Sequence, residues 1–178
     1  MPDGLRSEPL GRHDRSMFSC GVPALDSYFR NRIGQDQKRK LSAPYVLIEA
    51  NTGAIAGFYT LSSYSIQPAG LPKSMTRKLP RYEEYPAILI GRLALDRRYQ
   101  GKKLGRRLLL DALYRCLVLS GQLGALVVVV DAKDASARAF YEHAGLLPLE
   151  SHDLKLYIPM DSVARLFDTE QADAEVTH

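Results

Sequence analysis

Apolar residues recur along this chain at two periods, and the switches between them outline its elements. Leu25, Tyr28, Phe29 and Ile33 form one stripe at helical spacing behind Pro23, a residue suited to the first turn of a helix. "YVLIEA" and "AIAGFYTLS" then flank "NTG", a turn signal, so residues 45–61 predict a β-hairpin. Residues 65–86 hold four prolines and read as a long loop or broken helix, a kind of segment that is often functional. "AILIGRLAL" (87–95) predicts a strand, with Gly91 marking a bulge or a close backbone approach. Leu104, Leu108, Leu109, Ala112, Leu113, Cys116 and Leu117 return to helical spacing, and Gly121 and Gly124 end that helix. "ALVVVV" (125–130) is continuous rather than alternating, as in a strand covered on both faces. Asp134 suits the cap of "ASARAFYEHA", and Gly145 its close. "LKLYIP" predicts a last strand, and Asp161 the cap of a short final helix. Helix, hairpin, long loop, then alternating strands and helices make a mixed α/β fold around one sheet.

Length and composition add bounds. At 178 residues and 46% hydrophobic, the chain fits one compact domain, residues 1–168. The acidic residues 169–178 lack apolar periodicity and read as a frayed or disordered tail. Cys20 and Cys116 stand far apart without metal-ligand spacing, which favours a reduced, cytoplasmic chain without structural zinc; Cys116 lies on the apolar helix phase as buried filler. The first fifteen residues have no signal-peptide core, and no apolar run is long enough to span a membrane.

The net charge of +4 is modest, but its distribution is not. Basic residues cluster at 30–40, 73–81 and 97–107, which suggests an anionic partner. Residues 97–107 carry six basic side chains and no acid, yet Gly101 and Gly105 interrupt them. Each glycine weakens a helix by roughly 1 kcal/mol relative to alanine. Two readings compete: a solvated, capped helix, or a helix start wrapped around phosphate. In the second, free N–H groups and the helix dipole bind the anion, and glycine lets the backbone approach it. The phosphate loops G-x-x-x-x-G-K-[ST] and G-x-G-x-x-G are both absent.

Gln100-Gly101-Lys102-Lys103-Leu104-Gly105 resembles instead the [Q/R]-x-x-G-x-[G/A] loop of the GNAT superfamily of N-acetyltransferases, with Lys103 in place of the first glycine. "FSCGVPALDSYFR", "GFYTLSSYSI", "GRLALDRRYQGKKLG", "ARAFYEHAGL" and "LYIPMDSVARLF" further resemble the toxins of type II toxin–antitoxin modules that acetylate aminoacyl-tRNA. The resemblance covers roughly residues 15–168. It implies the GNAT fold, a mixed, mostly antiparallel central sheet with splayed strands and helices on both faces. It also implies acetyl-CoA held at the pyrophosphate by residues 100–105 with Arg106, and at the pantetheine arm by backbone groups of Leu93, Ala94 and Leu95 beside a splay at Gly91. Asp134 stands where the family often has asparagine, so it is either a cofactor contact or a helix cap. Tyr141 matches the family's general acid, against the plainer reading of a core tyrosine. A phenol of pKa about 10 stays protonated at neutral pH and can serve a thiolate whose conjugate acid lies near 8.5.

None of His13, His143, His152 and His178 announces itself as a general base. An α-amine of pKa about 7.7–8.0 is roughly one-tenth neutral at pH 7, whereas lysine is below about one part in a thousand. A site without a dedicated base therefore favours an α-amine acceptor. If that amine is on a charged tRNA, Lys38, Arg39, Arg77, Lys78 and Arg81 would hold the phosphates; otherwise they are solvated surface. Arg92, inside a strand, needs either an acid partner or a groove open to the RNA. The resemblance also implies a homodimer and a small ribbon-helix-helix antitoxin. Two other readings stand beside the toxin: a GNAT enzyme for a small amine or protein N-terminus, and a non-catalytic nucleic-acid-binding module.

Overall fold

The computed structural model describes residues 4–150 and 152–175. In chain order the elements are β1 (Leu5–Pro9), α1 (Pro23–Asn31), α2 (Ile33–Lys38), β2 (Ala43–Glu49), β3 (Ile55–Ile66), α3 (Lys73–Thr76), β4 (Tyr85–Leu95), α4 (Leu104–Leu123), β5 (Val127–Asp131), α5 (Ala135–His143), β6 (Leu147–Leu149), β7 (His152–Pro159) and α6 (Met160–Glu175). Among the described residues the strands form one seven-stranded sheet in the order β1-β2-β3-β4-β5-β7-β6. The pairs β1–β2, β2–β3, β5–β7 and β6–β7 are all antiparallel.

The chain divides into two compact units: Met1–Ser62 with Ile90–Ala112, and Ser63–Leu89 with Leu113–His178. The chain passes from one to the other inside β3, inside β4 and inside α4. No linker marks these crossings.

In the first unit the helical stripe of 25–33 meets the inward face of the hairpin. Phe18, Phe29 and Phe58 form the centre, with ring centroids 4.6, 5.5 and 4.3 Å apart. Ile33, Val46, Ile48 and Ile55 close around them. Each such ring pair adds about 0.5–1.5 kcal/mol beyond its burial. The stripe is carried by two helices rather than one: the helix breaks at Arg32, whose N–H bonds the Tyr28 carbonyl, and α2 resumes with a fully buried Ile33.

A close backbone approach is seen at Gly57 of β3. A Cβ there would meet the Ala94 carbonyl oxygen at 2.9 Å and the Leu108 side chain at 3.0 Å. Gly57→Ala is expected to cost about 1–3 kcal/mol, read as a thermal midpoint several degrees lower.

In the second unit Val127–Val130 are fully buried, as the unbroken apolar run required. Val127 and Val129 pack with Ile66, Tyr85, Leu149 and Tyr157. Helix α4 ends later than expected, since it passes through Gly121 to Leu123. An exposed glycine in a long helix is tolerated at a cost of about 1 kcal/mol. The stop is Gly124, in the left-handed region at φ +68°, with its N–H on the Ser120 carbonyl. Helix α6 begins at Met160, so Asp161 lies in its first turn, where its charge favours the helix dipole rather than capping it. Nor is α6 short. It runs to Glu175, into the stretch read as a tail, because Gln, Ala and Glu there are good helix formers; residues 176–178 lie outside the described residues.

Candidate active site

Strand β4 ends in a hydrogen-bonded corner. The Asp96 carboxylate, 2% exposed, accepts from the Ser19 N–H at 3.1 Å, the Arg98 N–H at 3.0 Å and the Arg98 guanidinium at 2.8 and 3.1 Å. It thereby caps a 3₁₀ turn over Arg97–Tyr99. The Gln100 amide then donates to the Leu95 and Cys20 carbonyls, each at 2.9 Å, so its side chain braces the loop instead of reaching outward.

Beyond it the backbone turns left-handed twice, at Gly101 (φ +76°) and Lys103 (φ +59°), before α4 begins at Leu104. Lys103 therefore holds a backbone conformation that favours glycine, at a cost of roughly 1–2 kcal/mol. Lys102, Lys103 and Arg106 are exposed, Gly105 is half-buried, and the first turn of α4 holds no acid. A Cβ on Gly101 would meet nothing within 4 Å, so conformation alone demands glycine and the space before the turn is open. Open space, unbonded helix N–H groups and exposed cations suit a pyrophosphate. Lys103→Gly is expected to raise stability by roughly 0.5–1 kcal/mol by relieving the turn; a lower midpoint in thermal unfolding would show that the lysine side chain contributes there.

A second carboxylate, unforeseen in the sequence, fixes the other side of this corner. Asp26 of α1 is buried and accepts from the Cys20 N–H at 2.7 Å and the Ser19 hydroxyl at 3.2 Å. The Arg30 guanidinium grips the Phe18 carbonyl at 3.0 and 2.8 Å. The Arg97 N–H bonds the Ser19 carbonyl at 2.9 Å. Burial pushes both carboxyls up, but the donors from Cys20 and Ser19 on Asp26, and from Arg98 and Ser19 on Asp96, outweigh it and hold both below the ordinary value. Gly21, at φ +92°, admits the Arg97 side chain where a Cβ would stand 2.9 Å from its Nε. The only sequence sign of this corner was the polar "SCG" between apolar residues.

Of the three strand residues read as cofactor contacts, Ala94 is buried and Leu93 and Leu95 are half-buried. In the second unit Tyr141 sits on α5, 5% exposed, with Phe140 edge-on at 5.2 Å. Burial, helped by the negative charge of Asp131, pushes its phenol up to about 12. Asp134 is engaged as a cap: it accepts from the Ala137 N–H at 2.8 Å and pairs with Lys133 at 2.9 Å. Cys116 is fully buried with its thiol pushed up to about 12, in keeping with a filler. His143 and His152 are exposed, while His13 bonds Glu8 at 2.7 Å; His178 lies outside the described residues. No group of His, Cys, Asp and Glu among the described residues is arranged to hold a metal ion.

The Arg92 guanidinium lies 3.6 Å from the centre of the Tyr28 ring, whose hydroxyl donates to Asp36 at 2.9 Å. An aromatic face satisfies a half-buried cation as an acid would. Lys38, Arg39, Arg77, Lys78 and Arg81 are all exposed. Arg77 and Arg81 line one cavity with Lys73, and Lys78 does not; Lys38 and Arg39 belong to the other unit. No described helix is long and apolar enough to cross a membrane.

The chain resembles several known proteins. It is 33% identical to a probable toxin TacT of Sinorhizobium fredii (strain NBRC 101917 / NGR234), over 89% of this chain and 93% of that one. It is 38% identical to a tRNA-acetylating toxin of Mycobacterium tuberculosis (strain ATCC 25618 / H37Rv), over 73% of this chain and 76% of that one. Among solved structures, AtaT complexed with acetyl-methionyl-tRNAfMet matches with a TM-score of 0.85 at 30% identity, covering 92% of this chain and 99% of that chain. A Tyr-to-Phe mutant of KacT matches with a TM-score of 0.86 at 27% identity, with the same coverage. Residues 13–146 match the acetyltransferase (GNAT) family, and the chain belongs to it.

Proposed function

We propose that the chain is an acetyl-CoA-dependent N-acetyltransferase toxin that acetylates the α-amine of aminoacyl-tRNA and so blocks translation. The observation that carries this reading is the left-handed Gly101–Lys103 turn, which leads into α4 with no acid in its first turn; the first N–H groups of a helix have no partner within it. The choice of acceptor is supported by the likeness to a tRNA-acetylating toxin and to AtaT bound to acetyl-methionyl-tRNAfMet.

In this reading Gly101, Lys102, Lys103, Leu104, Gly105 and Arg106 hold the pyrophosphate, with Gln100 bracing the turn from behind. Backbone groups of Leu93, Ala94 and Leu95 align the pantetheine arm. Bound acetyl-CoA supplies an acetyl group activated as a thioester. Tyr141 keeps a proton on Oη at every physiological pH and makes it available to the departing sulfur. Asp134 serves α5 as its cap. The acceptor amine needs no dedicated base, since an α-amine is partly neutral at pH 7.

Lys38, Arg39, Arg77, Lys78 and Arg81 supply phosphate contacts, which weaken with salt. Arg92, whose guanidinium lies over Tyr28, joins that set. A tRNA substrate makes the cytoplasm the place of action. A second copy of the chain and a small ribbon-helix-helix antitoxin complete the assembly; exposed Tyr114 and Val118, one turn apart on α4, offer an apolar face to such a partner.

The test is incubation of the purified protein with labelled acetyl-CoA and total charged tRNA, with uncharged tRNA alongside. Label on the aminoacyl groups alone is the expected result. No transfer despite acetyl-CoA binding would overturn the choice of acceptor and direct attention to small amines and protein N-termini.

A further inference from the structure

The proline-broken segment between β3 and β4 forms a cavity of about 350 Å³. Lys73, Arg77, Arg81 and Tyr82 line it, together with Leu79 and Tyr85, and no acid lines it. The cavity is anchored from below. Tyr85 and Leu79 belong to the apolar cluster of their unit, and the Tyr85 hydroxyl donates to the Pro80 carbonyl at 2.6 Å. The Tyr82 N–H bonds the same carbonyl at 3.1 Å, which closes the turn that presents Tyr82. Its ring stands 6.2 Å from that of Tyr85, tilted by 46°, and the residue is 61% exposed.

These features divide the ligand classes. Three cations without an acid call for phosphate. A duplex backbone would satisfy them and leave the Tyr82 ring idle. An unpaired nucleotide uses both, because its base has a face to stack and its phosphate has charge. The volume lies at the low end of the range for small-molecule sites, which suits one nucleotide.

We propose that this cavity binds one unpaired ribonucleotide, its base stacked on Tyr82 and its phosphate held by Lys73, Arg77 and Arg81. The inference rests on the tRNA reading above and deepens it, since the unpaired 3′ end of a charged tRNA supplies such a nucleotide beside the reacting amine. Tyr82 thereby becomes a substrate-binding residue that charge patterning alone does not reveal.

The test compares the full-length protein's affinity for a labelled RNA hairpin carrying an unpaired 3′-ACCA overhang with that for the same hairpin ending blunt. The wild type is expected to prefer the overhang. Tyr82→Leu should erase that preference, a loss of about five- to a hundredfold, and leave blunt-hairpin affinity unchanged. Tyr82→Phe should retain it. The double change Arg77→Gln with Arg81→Gln should weaken overhang binding and lower its salt slope by about one. An overhang preference that survives Tyr82→Leu, or no preference in the wild type, overturns the proposal. Acetylation of charged tRNA separates the two readings. If it proceeds while Tyr82→Leu changes nothing, the cavity proposal fails alone; if it is absent while Tyr82 governs overhang binding, the acceptor assignment fails and the nucleotide site stands.

Discussion

Tyr141→Phe is expected to slow acetyl transfer by about 10²- to 10⁴-fold, the range typical of a lost general acid, and to leave acetyl-CoA affinity unchanged. The substitution removes one oxygen from a side chain that is 5% exposed. No described residue bonds that hydroxyl, so its loss strands no buried partner and the fold is expected to hold. Steady-state kinetics beside calorimetric titration of acetyl-CoA would read the two quantities separately. Unchanged turnover would remove Tyr141 from the chemistry and return it to the core. Because burial pushes the phenol up to about 12, the pH profile should rise as the acceptor amine loses its proton and then stay level past pH 10. A fall near pH 10 would mean that the phenol titrates as though exposed.

The second large effect is expected at Asp96. Asp96→Ala strands the Ser19 N–H and undoes the turn that starts the phosphate loop. A cost of about 3 kcal/mol follows from leaving buried donors unpaired. That figure discounts the contribution of Arg98, whose side chain is more than half exposed. In a chain of this size it lowers the thermal midpoint by about 6–12 °C. Acetyl-CoA affinity should fall with it, since Gln100 braces the same corner. The pH dependence follows from the same bonds. Asp96 and Asp26 are held below the ordinary carboxylate value, so their contribution is complete above about pH 4 and is lost as pH falls through their folded values. Asp96→Asn should flatten this acid limb in chemical denaturation measured between pH 2 and 6. An unchanged limb would show that Asp96 does not feel the donors around it.

The elements that bury a continuous or periodic apolar face were legible: the 25–33 stripe, the hairpin, β4, α4, β5 and β7. Strand β1 was not, because "LRSEP" has one buried apolar residue, Leu5, and owes its extended form to backbone pairing with β2. Three-residue β6, with a proline at its centre, is held in the same way by β7. At the site, the left-handed turn could be read from Gly101, but Lys103 disguised its second half. The stacking of Arg92 on Tyr28 joins residues 64 positions apart and leaves no periodic trace. Asp26 looked like an ordinary acid in a helix's first turn, and only tertiary structure shows which N–H groups it serves. Composition revealed that the 65–86 segment was basic; folding adds which of those cations share a cavity with an aromatic ring.

The threefold passage of the chain between the two units inside β3, β4 and α4 has a bearing on synthesis. Neither unit is a contiguous gene segment, so no single truncation or proteolytic cut releases either one whole; an isolated half would require splicing or circular permutation. As the chain leaves the ribosome, the first unit lacks its closing segment until Ala112 has emerged, and the second until its last helix has. A partial product holds the phosphate turn without Tyr141. The phosphate turn and Tyr141 are thus both present only once α5 has been made.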